Sequence, residues 1–438
     1  MIRTRIALTV LTLGSSVISF VAHTLMLRHL GASAALDLLF YAASVPVALA
    51  GVTSGVLLYL LPPRFTQIAS RVQESTLRVL FACFAVICAV AIIGTLVYGL
   101  MQGRSMLAVL WAGFIVVALL TILSTLAACI AQARGAYLAT GVAPMITSAG
   151  LLGGVLMAIA SRAEWWLVIG QLLGTAAAVL WMARSLRLAA VWSGRDVLLA
   201  RAALGPLKPH ALAITMGTMA FTLFQPIDAA LCAQLGSGSI TVMSYAQRVV
   251  VAVSTAVSLG AYAVAARTSH DVLRSGGQRA LRRLANREVF RVVSFGMVVW
   301  LSYVLGGHAL LGALLGSSAM TGHDLARLLD CVQWMLLGAG PMAAIPYLFR
   351  VFYSQQAYRK PALLGIGLAP AYGLLAWVLL PFVDILALAY AYACVWWFTL
   401  AVALLWLNEA VADVPPQGRA RPNRENSATP ETAQSDIR

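Results

Sequence analysis

Leu235-Gly-Ser-Gly-Ser-Ile-Thr-Val-Met-Ser-Tyr-Ala-Gln-Arg248 places a full positive charge inside an otherwise apolar helix. Counting from Ser239, a rise of ~1.5 Å per residue carries Arg248 roughly 13 Å into a layer of hydrocarbon ~30 Å thick. An arginine at that depth costs about 2.5–3.5 kcal/mol on insertion scales, so it must face a partner, a bundle interior or a watery cavity. Two readings follow. Arg248 is either the cationic half of a buried ion pair or a contact for an anionic substrate in a transport cavity.

The rest of the chain sets this charge in a membrane. Of 438 residues, 61% are hydrophobic and only 10% charged, and mean hydropathy is +0.87, far from the balance of soluble domains. The net charge of +15 is scattered over short segments between apolar runs, which speaks for topology and against nucleic acid. All six cysteines, Cys83, Cys88, Cys129, Cys232, Cys331 and Cys394, lie inside apolar runs without CxxC spacing or a His cluster; they read as core or lipid-facing residues, not disulfides or metal ligands. The basic start, Arg3 and Arg5, leads into an apolar stretch that continues to Leu30 without a small-residue cleavage site, the pattern of a first spanning helix.

Windows long enough to span fall near 6–30, 36–61, 78–102, 106–133, 137–161 and 165–187, and again near 210–235, 238–266, 289–316, 325–353, 361–382 and 383–407. The expected fold is therefore an all-α polytopic membrane protein of about twelve transmembrane helices in two pseudo-symmetric six-helix bundles. The first bundle occupies 1–187 and the second 210–410. Between them, 188–209 reads as an amphipathic cytoplasmic linker on the spacing of Trp192, Leu198, Leu199 and Leu204. From 411 to 438 the composition is that of a disordered cytoplasmic tail.

Charge orients the bundle. Apart from Arg28, Arg104, Arg162, Arg327 and the intramembrane Arg248, every Lys and Arg lies at the ends that face the cytoplasm if the N-terminus does. The positive-inside rule then puts both termini there. An internal repeat agrees: Gly14, Gly31 and Tyr41 recur as Gly217, Gly236 and Tyr245 at an offset near 204 residues. Both halves begin and end inside, so the repeat is parallel, about an axis along the membrane normal, with the cavity between the halves.

Three patches carry a resemblance. Phe20 to Pro46, with Arg28-His-Leu-Gly-Ala-Ser-Ala-Ala-Leu-Asp37 ahead of Leu-Leu-Phe-Tyr-Ala, is similar to the first hairpin of the MurJ/MviN family of lipid II flippases. Ala233 to Arg248 resembles that family's turn between helices seven and eight, and Phe352 to Pro361 its short cytoplasmic turn between helices ten and eleven. The family lies in the multidrug/oligosaccharidyl-lipid/polysaccharide exporter superfamily. The resemblance implies an inner-membrane flippase that moves a polyprenyl-pyrophosphate-linked saccharide, lipid II or a related envelope precursor, by alternating access. It implies substrate contacts at Arg248, Asp37, Arg28 and His23, no cofactor and no metal. The family's cavity arginines on the first two helices fall at Ser16, Ala22 and Ala50, none of them basic here, and His23 stands next to one of the missing charges.

Asp228 is the other charge expected at depth. It is read either as a site for a coupling proton or cation, or as the counter-ion of Arg248. Pro226 removes a backbone donor and frees a carbonyl near Thr222, and Pro341 and Pro346 are expected to kink helix ten. No Gly-Lys-Ser/Thr loop, nucleophile elbow or metal-spaced carboxylates occur, so the chain reads as a transporter and not an enzyme. The alternatives are a drug/cation antiporter of the same superfamily, which calls for acidic cavity groups, and a polytopic glycosyltransferase or ligase, which calls for a sizeable outer loop.

Overall fold

The computed structural model describes residues 2–187, 193–316, 319–355 and 357–409. Among these the chain is helical throughout. The first half consists of α1 (Ile2–Leu30), α2 (Ala34–Phe65), α3 (Ser70–Met101), α4 (Ser105–Ala133), α5 (Tyr137–Ser161) and α6 (Trp165–Ser185). A short α7 (Asp196–Leu204) leads into α8 (Lys208–Thr222), α9 (Phe224–Cys232) and α10 (Ser239–Ser302). After a π-turn at Tyr303–Gly307 come α11 (His308–Leu315), α12 (Gly322–Leu337), α13 (Ala339–Ser354), α14 (Arg359–Val383) and α15 (Leu386–Glu409).

Among the described residues nine helices are long and apolar enough to cross a membrane, ten if the bent α12–α13 pair counts as one span. The other two windows of the sequence count fall on the α8–α9 pair and on the first part of α10. Proline explains both broken spans. Pro226 cannot donate to Thr222, and the helix divides there into α8 and α9. Pro341 cannot donate to Leu337; α12 and α13 meet at Gly338 with a bend of 41°, and the freed Leu337 carbonyl accepts instead from Trp397 Nε1 at 3.0 Å. The interval between the windows near 238–266 and 289–316 is helical too. It breaks only at Gly277, at φ 67°, because Leu281, Ala285, Val289 and Val292 give it a buried face. The Trp192 part of the linker and the 411–438 tail lie outside the described residues.

The two halves repeat their packing. α1 lies on α5, α2 on α4, α3 on α4, α4 on α6 and α5 on α6; correspondingly α8 lies on α14, α10 on α12 and α13, α12 and α13 on α15, and α14 on α15. The α5–α6 seam is backbone on backbone: a Cβ at Gly154 would stand 2.6 Å from the Trp166 carbonyl and 2.9 Å from Gly170 Cα, so only glycine fits. The halves meet where α2 crosses α8, α9 and α10, and where α1 crosses α10.

The linker helix is fastened to the first half. Asp196 accepts from Arg78 Nε at 2.9 Å, Arg78 Nη2 at 3.2 Å, Ser75 Oγ at 2.7 Å and the Ser193 amide at 3.0 Å. The Arg78 guanidinium above all, with the Ser193 amide and Ser75 hydroxyl, holds its carboxyl at about 2. Arg64 Nε adds a bond to the Ala203 carbonyl at 3.3 Å.

Candidate functional site

A cavity of about 430 Å³ opens between the halves, walled by α1 and α2 on one side and α10 on the other, with Gln225 of α9 and the polar Ser148 and Gln171 of α5 and α6. Arg248 lies on its wall. Among the described residues no carboxylate stands within ion-pair distance of this guanidinium. Its Nη1 donates to His23 Nε2, and its Cζ lies 5.1 Å from the centre of the Phe40 ring, a cation–π contact.

His23 is buried on α1 at 5% exposure, with Nδ1 on the Ser19 carbonyl at 2.6 Å. A carbonyl only accepts and an arginine only donates, so Nδ1 carries the proton and Nε2 offers its lone pair. The imidazole is in its neutral tautomer. It orients Arg248 without cancelling its charge, leaving a cation inside the cavity.

Asp228 is not the counter-ion of Arg248. It is buried on α9, one carboxylate oxygen accepting from Tyr372 of α14 and the other from Gln247. Gln247 and Arg248 are neighbours in sequence but turn to different partners, as adjacent helix positions must.

Asp37 lies apart from the cavity lining. Its carboxylate caps α10, accepting from the Gly238 amide at 2.5 Å, the Thr241 amide at 2.8 Å and Thr241 Oγ1 at 2.6 Å. Gly238, at φ 90°, supplies the left-handed turn that aims these amides back at α2. Arg28 is exposed at the end of α1, where its carbonyl accepts from the Ala319 amide at 2.9 Å. Of the four expected substrate contacts, the fold thus brings Arg248 and His23 to the cavity and puts Asp37 and Arg28 elsewhere. Of the three positions that lack the expected arginines, Ser16 lines the cavity, while Ala22 and Ala50 are buried at 0% and 3% exposure.

Phe40 and Tyr372 escaped the sequence reading, since an aromatic within an apolar run gives no sign of what it faces. Tyr245, part of the repeat, joins α10 to α1 through its hydroxyl, 2.9 Å from Thr24 Oγ1. At the end marked by Arg64 and Arg350, α2 meets the second half through the Tyr59 and Tyr353 rings, packed edge to face at 5.2 Å.

The family model for lipid II flippase MurJ matches residues 26–420. No curated protein matches the chain. Among solved structures, a lipid II flippase MurJ in an inward closed conformation is similar with a TM-score of 0.74 at 14% identity, over 94% of this chain and 88% of that one. A MATE transporter in complex with MaL6 gives 0.67 at 12% identity, over 93% and 96%. A superfamily transporter from Pyrococcus furiosus gives 0.63 at 10% identity, over 93% and 95%. At these identities the likeness to solved structures concerns the fold.

Proposed function

The chain belongs to the lipid II flippase MurJ family: it is a multi-pass membrane transporter of a lipid-linked cell-envelope precursor, and on that premise we propose that Arg248 grips the substrate's diphosphate. The observation that carries this reading is the guanidinium on the cavity wall, oriented by a neutral His23 and left without a carboxylate among the described residues. A guanidinium offers a planar fork of donors that matches phosphate oxygens, and binding a dianion offsets the cost of its burial.

In this reading the halves over 1–187 and 210–410 rock about the cavity, and 188–209 connects them on the cytoplasmic face of the inner membrane, where both termini lie. Asp228, with Tyr372 and Gln247 around it, is the position for a coupling proton or cation. His23 serves as a positioning residue for Arg248. Asp37 and Arg28 serve the closure of the outer end instead of touching substrate. The drug/cation antiporter alternative is disfavoured because no acidic side chain is among the residues lining the cavity. The purified protein should neither hydrolyse nor transfer its substrate; turnover of a lipid-linked sugar donor in detergent, abolished by a point substitution, would move the function to the enzyme class.

The test is flipping activity per membrane-inserted molecule. Arg248→Ala should insert and fold but not transport, and Arg248→Lys should be partly active, because a point charge replaces a bidentate fork. Full activity of Arg248→Ala would overturn the assignment. Complementation of a strain depleted of its lipid II flippase then separates peptidoglycan precursor from a dedicated polysaccharide unit.

A further inference from the structure

Among the residues lining the cavity, Arg248 and His23 are the only Lys, Arg or His, and no Asp or Glu is among them. Charge counting then sets a problem that Arg248 cannot solve alone. A diphosphate esterified at both ends carries two negative charges, and a single guanidinium leaves one of them uncompensated in a buried space, where an unpaired charge is costly. Ser16, Ala22 and Ala50 stand where the family's further arginines are expected, so no permanent second cation comes from those positions.

The geometry of His23 supplies a conditional one. Nδ1 keeps its proton on the Ser19 carbonyl at 2.6 Å, whereas Nε2, which accepts from Arg248, is the ring atom able to take another. With only the guanidinium beside it, a proton on Nε2 would set two cations against each other at hydrogen-bond distance. A dianion changes the balance. When phosphate oxygens take the guanidinium N–H groups, Nε2 loses its donor, and an imidazolium there donates to a phosphate oxygen instead. Two negative charges then meet one guanidinium and one imidazolium.

The elements around His23 leave this exchange to Arg248. α5, packed along α1, contains no Asp, Glu, Lys, Arg or His. From α10, Arg248 is the charge that faces the ring, and Tyr245 is bonded to Thr24. Asp37 of α2 is held by Gly238 and Thr241, Asp228 of α9 by Tyr372 and Gln247, and His308 of α11 lies 3.9 Å from Asp330.

We infer that His23 takes up one proton at Nε2 when the diphosphate binds and returns it when the diphosphate leaves, so that substrate and proton occupy the cavity together. The inference rests on the diphosphate reading of Arg248 and adds a proton to what the cavity holds.

The experiment uses undecaprenyl-diphosphate-N-acetylglucosamine, whose diphosphate stays a dianion across the range in which histidine titrates, so that any proton exchanged belongs to the protein. Its binding to the full chain in lipid nanodiscs is measured by calorimetry in two buffers of different ionisation enthalpy, which counts protons. The unaltered chain should take up about one proton per lipid bound, and affinity should rise as pH falls by at most about tenfold per unit. His23→Gln, which does not titrate, should lose both the uptake and the slope. His23→Arg, a cation that needs no proton, should bind the probe without uptake. Binding to the unaltered chain without proton uptake, or uptake that survives in either variant, would overturn the inference. Loss of the diphosphate reading has its own signature: Arg248→Ala would then bind the probe as tightly as the unaltered chain at every pH.

Discussion

Arg248 and His23 are 225 residues apart and belong to different halves, yet the guanidinium donates to the imidazole Nε2 while Nδ1 is held by the Ser19 carbonyl. The bond exists only while Nε2 has a free lone pair. A hydrogen bond to a charged group is worth about 1.5–3 kcal/mol, so His23→Leu should lower transport per inserted molecule by roughly ten- to a hundredfold. His23→Gln, which keeps an acceptor, should retain most of it. Equal activity of the two variants would remove His23 from the positioning role.

Asp228 and Arg248 should behave independently. If they were a pair, removing one would strand a buried charge and removing both would restore function. Since Asp228 is bonded to Tyr372 and Gln247, Arg248→Ala combined with Asp228→Asn should stay inactive. Recovery of flipping in the double variant would show that the charges compensate each other after all.

The clamp on the linker helix predicts an acid-sensitive term. Asp196 is held at about 2 against an ordinary 3.8, so folding lowers its pKa and its contribution is complete above the ordinary value. That contribution should fade as pH falls from about 4 to about 2. Thermal melts of the unaltered chain and Asp196→Asn should differ at pH 7 and converge through that window; a constant gap would refute the clamp.

At the seam of α5 and α6 the backbones leave no room for a side chain at Gly154. Gly154→Val should force the helices apart and sharply reduce folded protein in the membrane, at a cost of about 1–3 kcal/mol or more from overpacking. The neighbouring Gly153, with open space around its Cβ position, should accept Ala with little change in yield. Similar yields from both variants would contradict the close packing.

Topology can be mapped directly. Reporter fusions near residues 104, 236 and 320 should read outside, and those near 200, 275 and 356 inside. An outside signal from the segment 279–287 would invert the arrangement.

Much of this was legible because bilayers punish exceptions. Arg248 announced itself by its cost, Pro226 and Pro341 by the donors they lack, and the repeat by Tyr41 and Tyr245. Partners were harder to read. Asp228 seemed a natural companion for Arg248 on nearby segments, but its own partner, Tyr372, stands 144 residues away on α14, and no local pattern marks such a contact. Asp37 was read through resemblance as a substrate contact, although Ser-Gly-Ser ahead of α10 offers free amides that a carboxylate can cap. The helical segments on either side of Gly277 carry arginines, good helix formers that hydropathy alone reads as an interruption between spans.

Asp37 and Thr241 occupy equivalent places in the two halves, 204 residues apart, and they bond to each other. Contact between equivalent positions occurs at a twofold axis, where each residue of a true homodimer would meet its own image. Two aspartates there would repel, and two threonines would leave the α10 amides without their carboxylate. A chain that carries both copies escapes this bind, because each can change without the other. The pair is thus a join that two identical subunits could not make. Restoring identity on the axis, with Asp37→Thr or Thr241→Asp, should therefore lower the amount of folded protein in the membrane.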